Sequence, residues 1–189
     1  MMRGRGRLVA LELAALTLAA LTLSGCSGPP APPPAPPSPT ATQVFASEDE
    51  ALAAATEAYA AYRAASDLFS AGGARNIQLI EPYMTVEYAA DMGEDIEQFQ
   101  ANGFSTVGTS SFDSVQLQSV FDDGMDAQVV LYLCSDTSDV RLIDAMGSDV
   151  GVETRQTRLP LEIQLRSGPS NAHSLLIDGS ELWSGDDFC

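Results

Sequence analysis

Residues 47–73 are SEDEALAAATEAYAAYRAASDLFSAGG, and this stretch decides the fold because it predicts one long amphipathic helix. Ser47 with the three acidic residues after it is a capping-box start, and those charges lie at the positive end of the helix dipole. Gly72-Gly73 ends the helix. The stripe predicted to face the rest of the domain recurs at three- and four-residue steps and consists of Leu52, Ala55, Tyr59, Tyr62, Ser66 and Phe69.

Shorter helical segments follow. A helical turn at residues 77–81 is broken by Pro82. Thr85 caps a second helix, which Gly93 interrupts and Asn102-Gly103 ends.

From Ser111 onward helical periodicity gives way to the alternation of strands. Pro160 lacks an N–H donor, so its part of a strand must lie at an edge or a bulge. Three helical segments before four strands predict an α+β domain, with the long N-terminal helix and the shorter helices packed on a curved four-stranded antiparallel sheet. The predicted strands cover residues 112–121, 127–134, 152–166 and 172–183, with a further short one at 140–143.

Three short motifs in the sequence resemble those of a known group of proteins. They are PYMTVEY at residues 82–88, GFSTVG at 103–108 and CSDTSDV at 134–140. Together with the order of elements they resemble a group of small lipoproteins of high-GC Gram-positive bacteria that contain a nuclear-transport-factor-2-like, or cystatin-like, cone. The resemblance covers nearly the whole domain and implies a cone that lacks the usual hairpin between the second and third helices. It implies no particular activity.

The N-terminus has the pattern of a secretory signal. Residues 1–7 are basic, and residues 8–23 form an apolar run that is short for a membrane span and is interrupted by Glu12. Leu23-Ser24-Gly25-Cys26 resembles the lipobox of bacterial lipoproteins. The resemblance implies cleavage before Cys26 and attachment of acyl chains such as palmitate to it, which would hold the protein at the extracytoplasmic face of the cell membrane. An ordinary signal peptide with a coincidental cysteine is the alternative.

A proline-rich segment, residues 27–39, follows Cys26 and predicts a disordered polyproline II spacer, about 40 Å long at about 3.1 Å per residue. A proline-recognition role is the alternative. We therefore divide the chain into a signal peptide (1–25), a lipidated cysteine with its spacer (26–46) and one α+β cone domain (47–189).

The charge is strongly negative. The chain has no lysine, and removal of residues 1–25 would leave six arginines against 25 acidic residues, a formal charge of −19. Nucleic acids and anionic lipid headgroups both bind to basic surfaces, so this composition disfavours them as partners.

Two further cysteines predict one structural disulfide. In an oxidising exterior compartment, Cys134 and Cys189 would pair most simply with each other. A redox pair is the alternative, but it favours closely spaced thiols such as Cys-x-x-Cys. Trp183 is expected to pack in the core or to anchor a strand end.

Candidate catalytic residues are few. Enzymes on this cone, such as ketosteroid isomerase, place an acid or base in an apolar cavity. The only histidine, His173, lies on the last predicted strand, where a histidine is more often a surface or hydrogen-bonded residue. We predict no catalytic residue. The strand carboxylates that could approach His173 are Glu162, Asp113, Glu153 and Asp178.

Two groups of aspartates could suggest calcium, but neither has the ligand spacing of an EF-hand, and aspartate favours turns. With a single histidine and no remaining free cysteine, a zinc site is not expected either. We therefore predict no metal and no cofactor. The aspartates in question are Asp122, Asp123 and Asp126 in one group and Asp136, Asp139, Asp144 and Asp149 in the other.

The sequence thus predicts a membrane-anchored, non-enzymatic binding domain. Its expected partners are the membrane, through the lipid on Cys26, and either an envelope protein or a small hydrophobic ligand in the concave face of the sheet. A cone enzyme of the isomerase or cyclase type and a structural envelope component are the alternatives.

Overall fold

The computed structural model describes residues 42–189, so the predicted signal peptide, Cys26 and most of the spacer lie outside the described residues. Helix α1 spans Glu48–Ala71, as predicted. The Oγ of Ser47 accepts the N–H of Glu50 at 3.2 Å, and the Glu50 carboxylate accepts the N–H of Ala46 at 2.8 Å. The first bond satisfies an N–H group that the first turn of a helix leaves without an intrahelical partner, and the second holds the residue before the N-cap.

The shorter helices agree only in part with the prediction, because the single turn expected at residues 77–81 is two turns and Pro82 lies inside the second rather than ending a helix. Two 3₁₀ turns, Ile77–Leu79 and Glu81–Tyr83, lead into α2 (Val86–Asp91) and α3 (Gly93–Ala101). Thr85 caps α2, because its Oγ1 accepts the N–H of Tyr88 at 3.2 Å.

The main sheet contains four strands in the order β2-β3-β5-β6, and every neighbouring pair is antiparallel. The α+β class and the four-stranded sheet are therefore confirmed. A separate two-stranded sheet pairs β1 with β4, and β1 was not predicted. The strands are β1 (Ser105–Val107), β2 (Ser111–Asp122), β3 (Ala127–Asp136), β4 (Arg141–Ile143), β5 (Arg158–Gly168) and β6 (Asn171–Leu182).

A glycine after β1 allows the chain to pass close to the backbone before β4. Gly108 has φ +105°, and a Cβ there would lie 1.9 Å from the carbonyl oxygen of Asp139. Only glycine fits such a close approach of two backbones.

The predicted start of β5 at residue 152 is wrong, since the strand begins at Arg158. The guanidinium of Arg155 donates to the carbonyl oxygens of Thr137 (2.9 Å) and Val140. This side chain ties residues 152–157 to the preceding turn, so they do not join the ladder.

Pro160 sits where the sheet tolerates it. On one side it lies opposite Cys134 in β3. On the other side β6 has just ended, because its last pair is Leu182 with Leu161, and only the N–H of Trp183 reaches the Pro160 carbonyl, at 2.9 Å. In an antiparallel strand the N and O of one residue face the same neighbour, so the missing donor faces the side where pairing stops.

The core lies between α1 and the inner face of the sheet. On β3 the inward side chains alternate with outward ones, and Val129, Leu131 and Leu133 are fully buried. The predicted helix stripe is shifted slightly, since Leu52 and Ser66 are only half-buried. The buried positions of α1 are Ala51, Ala55, Tyr59, Tyr62, Ala65 and Phe69.

Candidate functional site

Aromatic side chains occupy the space between α1 and the sheet. Tyr59 meets Phe112 edge-on with ring centroids 4.9 Å apart, and Tyr62 and Phe69 are also buried. Burial raises the pKa of Tyr59 to about 12, although the positive charge of the nearby Arg63 opposes the rise. These aromatic side chains therefore fill part of the space between α1 and the sheet.

Asp113 is an ion-pair partner. The Nη1 and Nη2 atoms of Arg158 donate to its two carboxylate oxygens at 2.7 and 2.6 Å. These hydrogen bonds lower the pKa of Asp113 to about 2. A carboxyl group that ionises so readily is poorly matched to general acid–base work near neutrality.

The other three proposed carboxylates do not converge. Asp178 accepts the Oγ1–H of Thr85 at 2.8 Å, beside the start of α2. Glu162 accepts the side-chain amide of Gln164 at 3.1 Å on β5. Glu153 is exposed in the loop before β5. These groups serve separate parts of the fold.

His173 is exposed on β6 and packs edge-on against the ring of Phe45, with centroids 5.8 Å apart. Its backbone N–H donates to the side-chain oxygen of Asn171 at 3.1 Å. Within residues 42–189 no salt bridge joins His173 to a carboxylate. The structure thus does not bring His173 together with any acid that the sequence suggested for it.

The aspartates of the turns are occupied by backbone N–H groups. One oxygen of Asp123 accepts the N–H groups of Met125 and Asp126, both at 2.9 Å. Asp144 accepts two N–H groups of its own turn in the same way. Across the described part of the chain, no group of three or more His, Cys, Asp or Glu side chains could hold a metal ion.

Asp122 has a role that sequence reasoning missed. Its carboxylate accepts the N–H of Val44 at 3.0 Å, of Phe45 at 2.9 Å and of Gly124 at 2.9 Å. Burial alone would raise the pKa of Asp122, but these three donors outweigh it and the pKa is lowered. Val44 and Phe45 are buried in the core, so the folded body includes residues that lie before α1.

The two remaining cysteines are joined, as the sequence predicts. Cys134 at the end of β3 and Cys189 form a disulfide, with Cα atoms 5.5 Å apart. The residues after β6 cover the outer face of the sheet here, since Trp183 and Phe188 pack on Tyr132 with ring centroids 4.6 and 6.3 Å away. Trp183 therefore anchors the end of a strand.

An open groove of about 600 Å³ lies between the start of α2 and the β5–β6 turn. Pro82 and Leu176 line it, and Val86 on its rim is 82% exposed. Arg166, also on the rim, is engaged by Asp126 at 3.0 Å. The groove offers apolar contact area without an unpaired arginine.

Arg63 on α1 was overlooked by the sequence analysis, which treated α1 only as a packing element. The side chain lines two surface openings, one beside β2 and one between α1 and α3. Its Nε is shielded from solvent and has no hydrogen-bond partner. No sequence signal separates it from an ordinary exposed helix arginine.

No helix within residues 42–189 is long and apolar enough to cross a membrane. No protein-family model and no curated protein matches the chain. The structure is similar to the crystal structure of the intermembrane space region of the chloroplast protein ARC6, with a TM-score of 0.50 and 14% identity. The match covers 71% of this chain and 97% of that one, and it shows the fold alone.

Proposed function

We propose that the protein is an extracytoplasmic lipoprotein, held on the cell membrane by acyl chains on Cys26, whose α+β domain works by binding rather than by catalysis. Its partner is an envelope protein or a small hydrophobic ligand. In this proposal the domain is a cone of the nuclear-transport-factor-2-like type.

The disulfide between Cys134 and Cys189 is the observation that supports the extracytoplasmic location in this proposal. Such bonds persist in oxidising compartments and are rare where glutathione and thioredoxin keep thiols reduced. The lipobox-like Leu23-Ser24-Gly25-Cys26 supplies a means of retention there, because two acyl chains are enough for stable anchoring.

The positions of the polar groups support binding over catalysis. Asp113 and Asp178 are engaged by Arg158 and Thr85, and His173 is exposed against Phe45. A catalytic acid or base would have to compete with these contacts for its role.

Metabolic labelling with an alkyne fatty acid in a bacterial host tests the anchor on the full chain. We expect the wild type to carry label and to sediment with membranes, and Cys26→Ser to lose the label and keep the uncleaved signal. Cys189→Ser is the matched control, because it breaks the disulfide and leaves Cys26 in place. It should label like the wild type.

Protease treatment of intact cells tests the orientation. The domain should be digested from outside once outer barriers are permeabilised, and thiol alkylation should show Cys134 and Cys189 oxidised. An unlabelled, uncleaved wild-type chain with a free Cys26 thiol would overturn the proposal.

A further inference from the structure

Two openings lie side by side along β6, one on each side of Pro82. The first is the groove of about 600 Å³ between the start of α2 and the β5–β6 turn. The second, of about 350 Å³, lies between α1 and β6. Pro82, Ser174 and Leu176 line both openings, so they are adjoining parts of one surface, which we call the double groove.

Apolar side chains from three elements line the double groove. Ala54, Ala58 and Ala61 of α1 line the smaller opening, and Leu176 of β6 lines both. Val86 at the start of α2 lines the larger opening and is 82% exposed. Covering such side chains removes apolar surface from water and favours association with a partner.

The double groove also carries unpaired negative charge. Glu57 lines the smaller opening, and Glu81 and Glu87 line the larger one. All three are exposed, and within residues 42–189 none of them forms a salt bridge. Arg166 lines the larger opening as well, but its guanidinium is paired with Asp126 at 3.0 Å.

We propose that the double groove binds an extended segment of a partner protein in which arginine or lysine residues alternate with leucine-like residues. The apolar side chains of the segment cover Val86 and Leu176. Its cations lie against Glu81 and Glu87 on one side of Pro82. A further cation lies against Glu57 on the other side. This inference rests on the proposed binding function and selects a protein rather than a small hydrophobic ligand as the partner.

The arrangement of charge favours a peptide over a small cation. The carboxylates lie in both openings, so successive side chains of one extended chain can reach them, whereas one compact cation cannot. Tyr83 lines the smaller opening and is 37% exposed, which offers a ring for an arginine to stack on. The histidine of that opening, His173, packs on Phe45. Negative charge at the double groove also disfavours nucleic acid and anionic lipid there.

Titration calorimetry of the full chain in phosphatidylcholine nanodiscs tests the proposal, with empty nanodiscs as the blank. The probe is the capped peptide Arg-Leu-Val-Arg-Leu-Val-Arg. One control peptide replaces each arginine by its neutral analogue citrulline, and the other replaces each leucine and valine by serine. We expect saturable binding of the probe and ~10-fold or weaker binding of each control peptide.

The result that would overturn the proposal is an absence of saturation, or equal binding of the probe and either control peptide. If the probe fails to bind while Cys26 still accepts the fatty-acid label, this inference alone is refuted and the anchored domain stands.

A pair of arginine substitutions locates the site. Val86→Arg places bulk and positive charge in the larger opening at an exposed position, and should weaken binding of the probe ~10-fold or more. Met146→Arg is the matched control, because Met146 is 87% exposed in the turn after β4, outside the double groove. It adds the same charge and should bind like the wild type. Equal affinities of the two variants would refute the assignment.

A second pair of variants separates local charge from the acidity of the whole protein. Glu81→Gln/Glu87→Gln should weaken binding of the probe by about fivefold, because two exposed ion pairs are lost. Asp95→Asn/Glu97→Gln removes the same charge from exposed positions on α3 and should bind like the wild type. An equal loss in both variants would mean that the probe is attracted by net charge alone, and the proposal would be wrong.

Discussion

At the scale of single residues, several aspartates hold the backbone of this protein in place. Asp122 joins segments 77 residues apart by accepting the N–H of Phe45, and it also accepts the N–H of Val44. Asp67 accepts both the N–H and the Oγ–H of Ser110 at 2.9 Å, across 43 residues. These two aspartates thus hold segments whose N–H groups regular hydrogen bonding leaves unpaired.

Replacing Asp122 by alanine should free the segment before α1. Hydrogen bonds to a charged acceptor contribute about 1.5–3 kcal/mol, so we expect a loss of about 2 kcal/mol in the free energy of unfolding. Hydrogen exchange should show fast amides at Val44 and Phe45. Asp123→Ala, which removes only bonds within the adjacent turn, should leave those two amides protected; equal exchange in both variants would contradict the anchoring role.

The Asp113–Arg158 pair should make stability depend on pH in the acid range. The folded-state pKa of Asp113 is about 2, below its ordinary 3.8, so the ionised carboxylate is favoured by folding. Its contribution is complete above 3.8 and is lost as the pH falls toward 2. Urea unfolding across this range should therefore lose more stability in the wild type than in Asp113→Asn.

The control for this titration is Glu97→Gln, which removes an exposed carboxylate on α3. It should follow the wild-type curve. Parallel curves for the wild type and Asp113→Asn would mean that solvent screening cancels the pair.

At the scale of elements, α1 organises the domain through small and aromatic residues on one face. Ala51 and Ala55 are fully buried and allow the helix to lie close to the sheet. Tyr59 and Phe69 fill the space farther along. The opposite face carries exposed side chains such as Leu68.

Two neighbouring positions on α1 test this division. Phe69 is 5% exposed and Leu68 is 65% exposed. Phe69→Ala leaves a cavity and should cost about 3–5 kcal/mol in unfolding free energy. Leu68→Ala should change it by less than about 0.5 kcal/mol. Chemical denaturation measures both, and similar values would show that the buried face of α1 is assigned wrongly.

At the scale of the whole molecule, both flanks of the domain are fastened to β3 or its hairpin. The segment at Val44 is held by Asp122, which lies opposite Ala127 where β3 begins. The segment after β6 is held at Cys134, near the end of the same strand. The β2–β3 hairpin thus holds parts of the chain that are far apart in sequence.

Removing the disulfide should lower global stability. The bond closes a loop with a sequence separation of 55. The chain-entropy account then gives about 4 kcal/mol for a loop of this length. Cys134→Ala/Cys189→Ala should show this loss in urea unfolding. Phe188→Ala, which keeps the bond and removes packing on Tyr132, should lose less; the reverse order would assign the stabilisation to packing.

The sequence by itself determined the features that depend on near neighbours. Capping by Ser47 and Thr85 and the alternation along β3 act over a few residues, so a local pattern predicts them. The disulfide was also predictable, because the chain offers only Cys134 and Cys189 besides the proposed lipidation site.

Only the tertiary structure decided the features whose partners are distant. In the sequence, Asp122 is one of several aspartates in predicted turns. In the structure its carboxylate accepts the N–H of Phe45, which lies 77 residues away. Arg155 prevented an early start of β5 through contacts with the turn after β3. Arg63 lines an opening between α1 and α3 only because those helices pack beside each other. Periodicity and capping carry no record of contacts across such separations, because these contacts form when the elements pack.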